Sequence, residues 1–226
     1  MTDSYCGLDC SACELRESAH CGGCVATQGH PFHGACEIAA CAVERRREFC
    51  GECADFPCER LKAFAFDPTH GDNGRRIERC KALKTEKVRA ARDGVDPVSV
   101  CGHHCDYCFM AEWCGGCRSD YSCCSFATLF DDGQCPNVSC AAARGLDGCC
   151  DCADLPKCAK GYYGQRGEYV AKATALFVHR HGKAAYTRAL ASAVADGLNY
   201  PKSFDGEGSV EAALALLERY RDDADA

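Results

Sequence analysis

The stretch Tyr5-Cys6-Gly7-Leu8-Asp9-Cys10-Ser11-Ala12-Cys13, followed by Cys21-Gly22-Gly23-Cys24, decides how this chain folds. Its cysteine spacing returns at Cys101-Gly102-His103-His104-Cys105-Asp106-Tyr107-Cys108 and Cys114-Gly115-Gly116-Cys117. Outward from each stretch the pattern continues in the same order, through Cys36, Cys41, Cys50, Cys53 and Cys58 in the first copy and Cys135, Cys140, Cys149, Cys152 and Cys158 in the second. Spacings within the pairs are kept while the stretches between them change length, as loops do. A pattern repeated at this scale predicts one structural unit used twice.

The chain has 226 residues, of which 24 are cysteine, and 47% are hydrophobic. That much cysteine means a disulfide scaffold in a short secreted chain and metal or redox chemistry inside a reducing cell. Residues 1–5 run into the first motif with no basic or apolar leader, and no run reaches the roughly 18 apolar residues of a membrane span. A soluble, cytoplasmic protein whose cysteines bind metal is therefore expected, with no membrane partner. The formal net charge of -7 argues against nucleic acid as a partner. A basic run, Arg75, Arg76, Arg79, Lys81, Lys84, Lys87, Arg89 and Arg92, is read as a solvated helix face.

Cysteines two residues apart grip a metal because the turn between them aims backbone amides at the sulfurs, and two such pairs complete a tetrahedral site. Cys10/Cys13, Cys21/Cys24 and Cys50/Cys53, with Cys105/Cys108, Cys114/Cys117 and Cys149/Cys152, are such pairs. The ten cysteines of a module suffice for two four-ligand sites with two left over, so about two Zn2+ per module are expected, with [4Fe-4S] clusters as the alternative. Spacing leaves open which cysteines share a site. Cys80, Cys123, Cys124 and Cys150 have no counterpart in the other copy and are not expected to be primary ligands. Cys80 falls on a helical stripe with Ile77, Leu83, Val88 and Ala91 and reads as a buried small hydrophobe. His20, His30, His33, His103 and His104 are unmatched between copies and read as loop histidines. His179 and His181, two apart on a helix, point to different faces. No nucleophile elbow, phosphate loop or thioredoxin-like context accompanies the cysteines, so no catalytic residue is assigned.

Four segments follow: a cysteine module at 1–66, a helical connector at 67–98, a second module at 99–160 and a helical region at 161–226. Helices are expected at Arg60 to Phe66 and Arg75 to Arg92. Three more follow Cys158, ended by Gly182 and Gly197 and, for the last, started by Ser209. The fold class expected is small, metal-nucleated and α+β or irregular, with two tandem zinc-finger-like modules, short hairpins or knuckles, and a helical C-terminal cap docked on the second module.

The first module, from Tyr5 to Cys13 through Cys21-Gly22-Gly23-Cys24, Cys36, Cys41, Cys50-Gly51-Glu52-Cys53 and Phe56-Pro57-Cys58, resembles the bacterial and archaeal family called domain of unknown function 3795. The second module resembles it too, departing where Pro156-Lys157-Cys158 replaces Pro57-Cys58. The resemblance implies metal binding and no particular activity. Cys101 to Cys108 also looks like the cluster motif of radical S-adenosylmethionine enzymes, but the alternating strands and helices of those enzymes are not in prospect here. A zinc-scaffolded adaptor that binds an unknown protein partner is the function expected, with an iron-sulfur protein of redox or enzymatic character as the alternative.

Overall fold

Helices joined by turns, 3-10 segments and irregular stretches make up the computed structural model, which describes residues 4–119, 121, 125–130 and 133–223. Among these residues no strand forms, and one isolated antiparallel bridge pairs Val98 with His104. The hairpins of the expected α+β class are therefore corrected to 3-10 turns such as Cys50–Glu52 and Cys149–Asp151. Cysteines and glycines recur too closely here for alternating strands, and backbone N–H groups that a ladder would use point at sulfur. Tyr5 N–H donates to Cys24 Sγ and Val100 N–H to Cys117 Sγ, both at 3.3 Å. Cys123 and Cys124 lie outside the described residues.

The chain divides into two compact units, Met1–Lys87 and Val88–Ala226. The first holds α1 (Leu15–Ser18), α2 (Glu37–Glu44), α3 (Glu59–Ala65) and most of α4 (Arg75–Arg92). Helix α4 has the bounds the sequence predicts, yet up to Lys87 it belongs to the first unit. Ile77 packs with Cys6, Ile38, Leu61 and Ala65 in that unit's core. Gly7 makes the packing possible: at φ 83° it lies so close to α4 that a Cβ would stand 2.3 Å from the Arg76 carbonyl oxygen. Arg76 itself is buried, paired with Asp72 at 2.9 Å and stacked 4.3 Å over the Phe64 ring.

The second unit holds α5 (Pro136–Ala143), α6 (Val170–Ala195), α7 (Lys202–Asp205) and α8 (Val210–Asp223). Gly182 breaks α6 with φ 82° and ψ 163°, and Gly197 follows its end. Ser209 Oγ accepts from Ala212 N–H at 3.1 Å, the expected N-cap. Val98 and Cys150 from the cysteine-rich region share one core with Phe177, Tyr186 and Leu190 of α6 and Leu217 of α8, so the helical tail docks on the second module. Gly102 repeats the role of Gly7: at φ 104°, a Cβ would stand 2.7 Å from the Ala171 carbonyl oxygen of α6. No helix among the described residues is long and apolar enough to cross a membrane.

An ion network reinforces this docking. Asp147 accepts from Arg118 at 2.7 Å and from Lys183 of α6 at 2.6 Å, and Arg118 also donates to the Val98 carbonyl at 2.7 Å. Hydrogen bonds from Arg118 and Lys183 hold the Asp147 carboxyl down at about 2. A depressed carboxyl stabilises the fold above the ordinary carboxylate range and loses that contribution as pH falls through its folded value. Asp147→Asn is expected to lower stability at neutral pH, with the gap to wild type closing as pH falls through about 2. Denaturant titrations of both proteins at several pH values check this. In the same core, Phe177 is fully buried, and Phe177→Ala is expected to destabilise the second unit by about 3 to 5 kcal/mol, read from its unfolding midpoint.

Candidate metal centres

None of the twenty cysteines of the two repeated patterns is joined in a disulfide. Those of the second module separate into two groups. Cys101, Cys105, Cys108, Cys114, Cys117 and Cys135 line one cavity, together with His103, Met110, Phe126 and Tyr162. Cys140, Cys149, Cys152 and Cys158 line another, with Asn137, Arg144, Lys160 and Tyr163. In the first module Cys10, Cys13, Cys21, Cys24 and Cys36 line the matching first cavity, and Cys6 acts electrostatically on Cys24 beside Cys10 and Cys36. Cys50 in turn feels Cys80, Cys6, Cys58 and Cys41, in that order. In the second module the division is six and four, where spacing alone allowed two fours with two unassigned. Among the described residues no three His, Cys, Asp or Glu side chains form a ready-made single-ion set; the sulfurs line cavities.

Local structure aims donors at these sulfurs. Met110 N–H donates to Cys108 Sγ at 3.5 Å, Gly116 N–H to Cys114 Sγ at 3.4 Å and Lys160 N–H to Cys158 Sγ at 3.5 Å, each from the second residue after the cysteine. A cation reaches the corresponding cysteine in the same way in both modules. Arg45 Nη1 lies 3.2 Å from Cys53 Sγ and 2.6 Å from Asp55, while Arg144 Nη1 lies 3.1 Å from Cys152 Sγ and 2.8 Å from Asp154. The backbone does likewise: Cys50 N–H donates to the Tyr5 carbonyl at 2.7 Å and Cys149 N–H to the Val100 carbonyl at 2.8 Å. Lys160 Nζ adds a third cation, 3.3 Å from Cys140 Sγ. Neutral thiols have little use for such donors, whereas thiolates bound to a metal are stabilised by them. The donor set thus fits a thiolate-bound metal.

Burial opposes leaving these sulfurs charged and unligated. It pushes the Cys101 and Cys105 thiols up to about 12 and Cys24 to about 11, and raises Cys50, Cys108, Cys117 and Cys149. Each such thiol is protonated near neutral pH and must release its proton to ligate a metal.

Two histidines depart from the expectation of loop residues. His103 and His104 are buried, with 4% and 1% of their surfaces exposed. His103 sits against Phe126 and Tyr162, with ring centroids at 5.6 and 5.2 Å, and its Nδ1 meets the Tyr200 hydroxyl at 3.0 Å. Its Nε2 has no hydrogen-bond partner among the described residues. Burial lowers the His103 ring to about 4, which leaves it neutral. The signal in the sequence was Leu8, the apolar residue that holds the same place between Cys6 and Cys10. The other histidines behave as expected of them: His179 Nδ1 meets the Cys150 carbonyl at 2.6 Å and His181 meets Glu218 at 3.0 Å, on separate faces.

Residues 2–63 match the family model described as Protein of unknown function (DUF3795). This match spans all ten cysteines of the first module and agrees with the family its motifs resemble; residues 101–160 fall outside it. No curated protein matches the chain, and no solved structure does.

Cys80 and Cys150, set aside as ligands on sequence grounds, are both buried, and burial raises Cys80 to about 12 and Cys150 to about 11. At pH 8, Cys80 then carries about a thousand-fold less thiolate than an exposed cysteine. Native alkylation with iodoacetamide, mapped by peptide mass spectrometry, is expected to leave Cys80 unmodified until the first unit unfolds.

Proposed function

We propose that the chain is a metal-thiolate protein built from two copies of one unit, each binding metal through a six-cysteine and a four-cysteine centre. The observation that carries this is the paired placement of Arg45 on Cys53 and Arg144 on Cys152, a cation brought to the same sulfur position in both cysteine patterns. Zinc is the resident metal in this reading, since a four-cysteine set completes its tetrahedral shell. The metals act structurally, and the protein serves as a cytoplasmic scaffold for a protein partner. Exposed Phe109, Trp113 and Leu129 on the second unit supply apolar surface for such a role.

Iron-sulfur clusters are the second reading. It is favoured by the six-sulfur lining, which exceeds the four thiolates that one zinc ion takes and suits either a cluster with two cysteines to spare or a thiolate-bridged metal pair. Elemental analysis of anaerobically purified protein, reading zinc, iron and acid-labile sulfide per chain, separates them. Zinc without iron is expected; iron with matching sulfide would replace the first reading by the second, and a metal-free, folded protein would remove both.

The two units should differ in how far metal supports them. A structural zinc site contributes on the order of 10 kcal/mol or more to folding. The apolar cluster of the first unit is small, Cys6, Ile38, Leu61, Ala65 and Ile77, whereas the second has the larger cluster of α6 and α8. Chelation is therefore expected to unfold the first unit before the second. Limited proteolysis of the demetallated chain, with cleavage between residues 4 and 66 preceding cleavage within α6, is the check.

A further inference from the structure

Among the described residues, the six-cysteine cavity of the second module contains one buried polar group without a hydrogen-bond partner. His103 is 4% exposed and lines this cavity, and its Nε2 has no partner among the described residues. Its protonation is set from the other side of the ring. The Tyr200 hydroxyl accepts from His104 N–H at 2.9 Å and from the Tyr186 hydroxyl at 3.3 Å, which uses its two lone pairs. In the tautomer where its own proton goes to His103 Nδ1, 3.0 Å away, the imidazole carries its hydrogen on Nε2. A buried N–H without an acceptor costs free energy; the Ser99 and Tyr162 hydroxyls of the lining are engaged with Cys101 Sγ and Glu168, and the remaining side-chain acceptors are sulfurs, which become strong acceptors only as thiolates.

We propose that His103 is a hydrogen-bond donor built into this cavity, giving its Nε2–H to a sulfur of the metal-thiolate centre held there. The first module lacks this donor, because Leu8 occupies the corresponding position; there the buried Arg76 guanidinium lies 4.0 Å from Cys6 Sγ instead. The two six-cysteine centres therefore hold metal with different strength. His103 acts through the sulfur, as a positioning residue, and is not itself a ligand. The inference rests on the cavity being a metal centre.

The test uses the whole chain loaded with Co2+, whose sulfur-to-metal charge-transfer band reports thiolate ligation, and follows the loss of that band to excess EDTA. Wild-type protein without the band overturns the metal-centre reading itself, before any variant is made. Given the band, His103→Met, which keeps the length and loses the donor, is expected to release one fraction of the cobalt about 10- to 100-fold faster, the usual effect of losing a group that supports a ligand. His103→Gln, which keeps an N–H, is expected to release it near the wild-type rate. Tyr200→Phe keeps the imidazole but frees its tautomer, and should accelerate the same fraction. If Met and Gln variants behave alike, or if Tyr200→Phe changes nothing, the donor role is wrong while the metal centre stands.

Discussion

Sulfur is a poor hydrogen-bond acceptor until it is charged, and charge on a buried sulfur is expensive until it is shared. Much of this molecule is arranged around that constraint. Backbone amides after Cys108, Cys114 and Cys158, guanidinium groups at Cys53 and Cys152 and the ammonium at Cys140 are all turned toward sulfur. The absence of a β-ladder among the described residues follows from the same constraint. Amides committed to sulfur and to 3-10 turns are withdrawn from any strand pairing.

Because the donors come from the turns, the turns must be held from outside, and in each unit a helix does this. Helix α4 lies against the glycine after Cys6, and α6 against the glycine after Cys101, so closely that neither position has room for a side chain. The structural unit is thus larger than the cysteine pattern. It consists of ten cysteines and the helix that follows them, with Arg76 and Ala171 in the same place over the two glycines.

The cysteine pattern, the bounds of α4, the glycine break in α6 and the Ser209 cap were legible in the sequence, because each depends on residues close in the chain or on helical periodicity. The strands were misjudged because closely spaced cysteines suggest knuckles, and knuckles suggest hairpins. Two other features were hidden by distance. The division of the second module's ten cysteines into six and four depends on how loops fold back, which spacing does not encode. The burial of His103 and His104 depends on Tyr186 and Tyr200, more than eighty residues later in the chain. A histidine at the position of Leu8 was a sign that this place is interior, but only the fold identifies what surrounds it.

The tyrosine contact also bears on where this protein can be cut. A fragment ending after Cys158 would retain every repeated cysteine, and by sequence pattern it would look complete. It would nevertheless leave Val98 and Cys150 uncovered, take away the α6 backbone on which Gly102 rests, and strip His103 and His104 of the hydroxyl that both of them use. The natural boundary of the second unit therefore lies well beyond its last repeated cysteine, in a tail that the cysteine pattern does not mark.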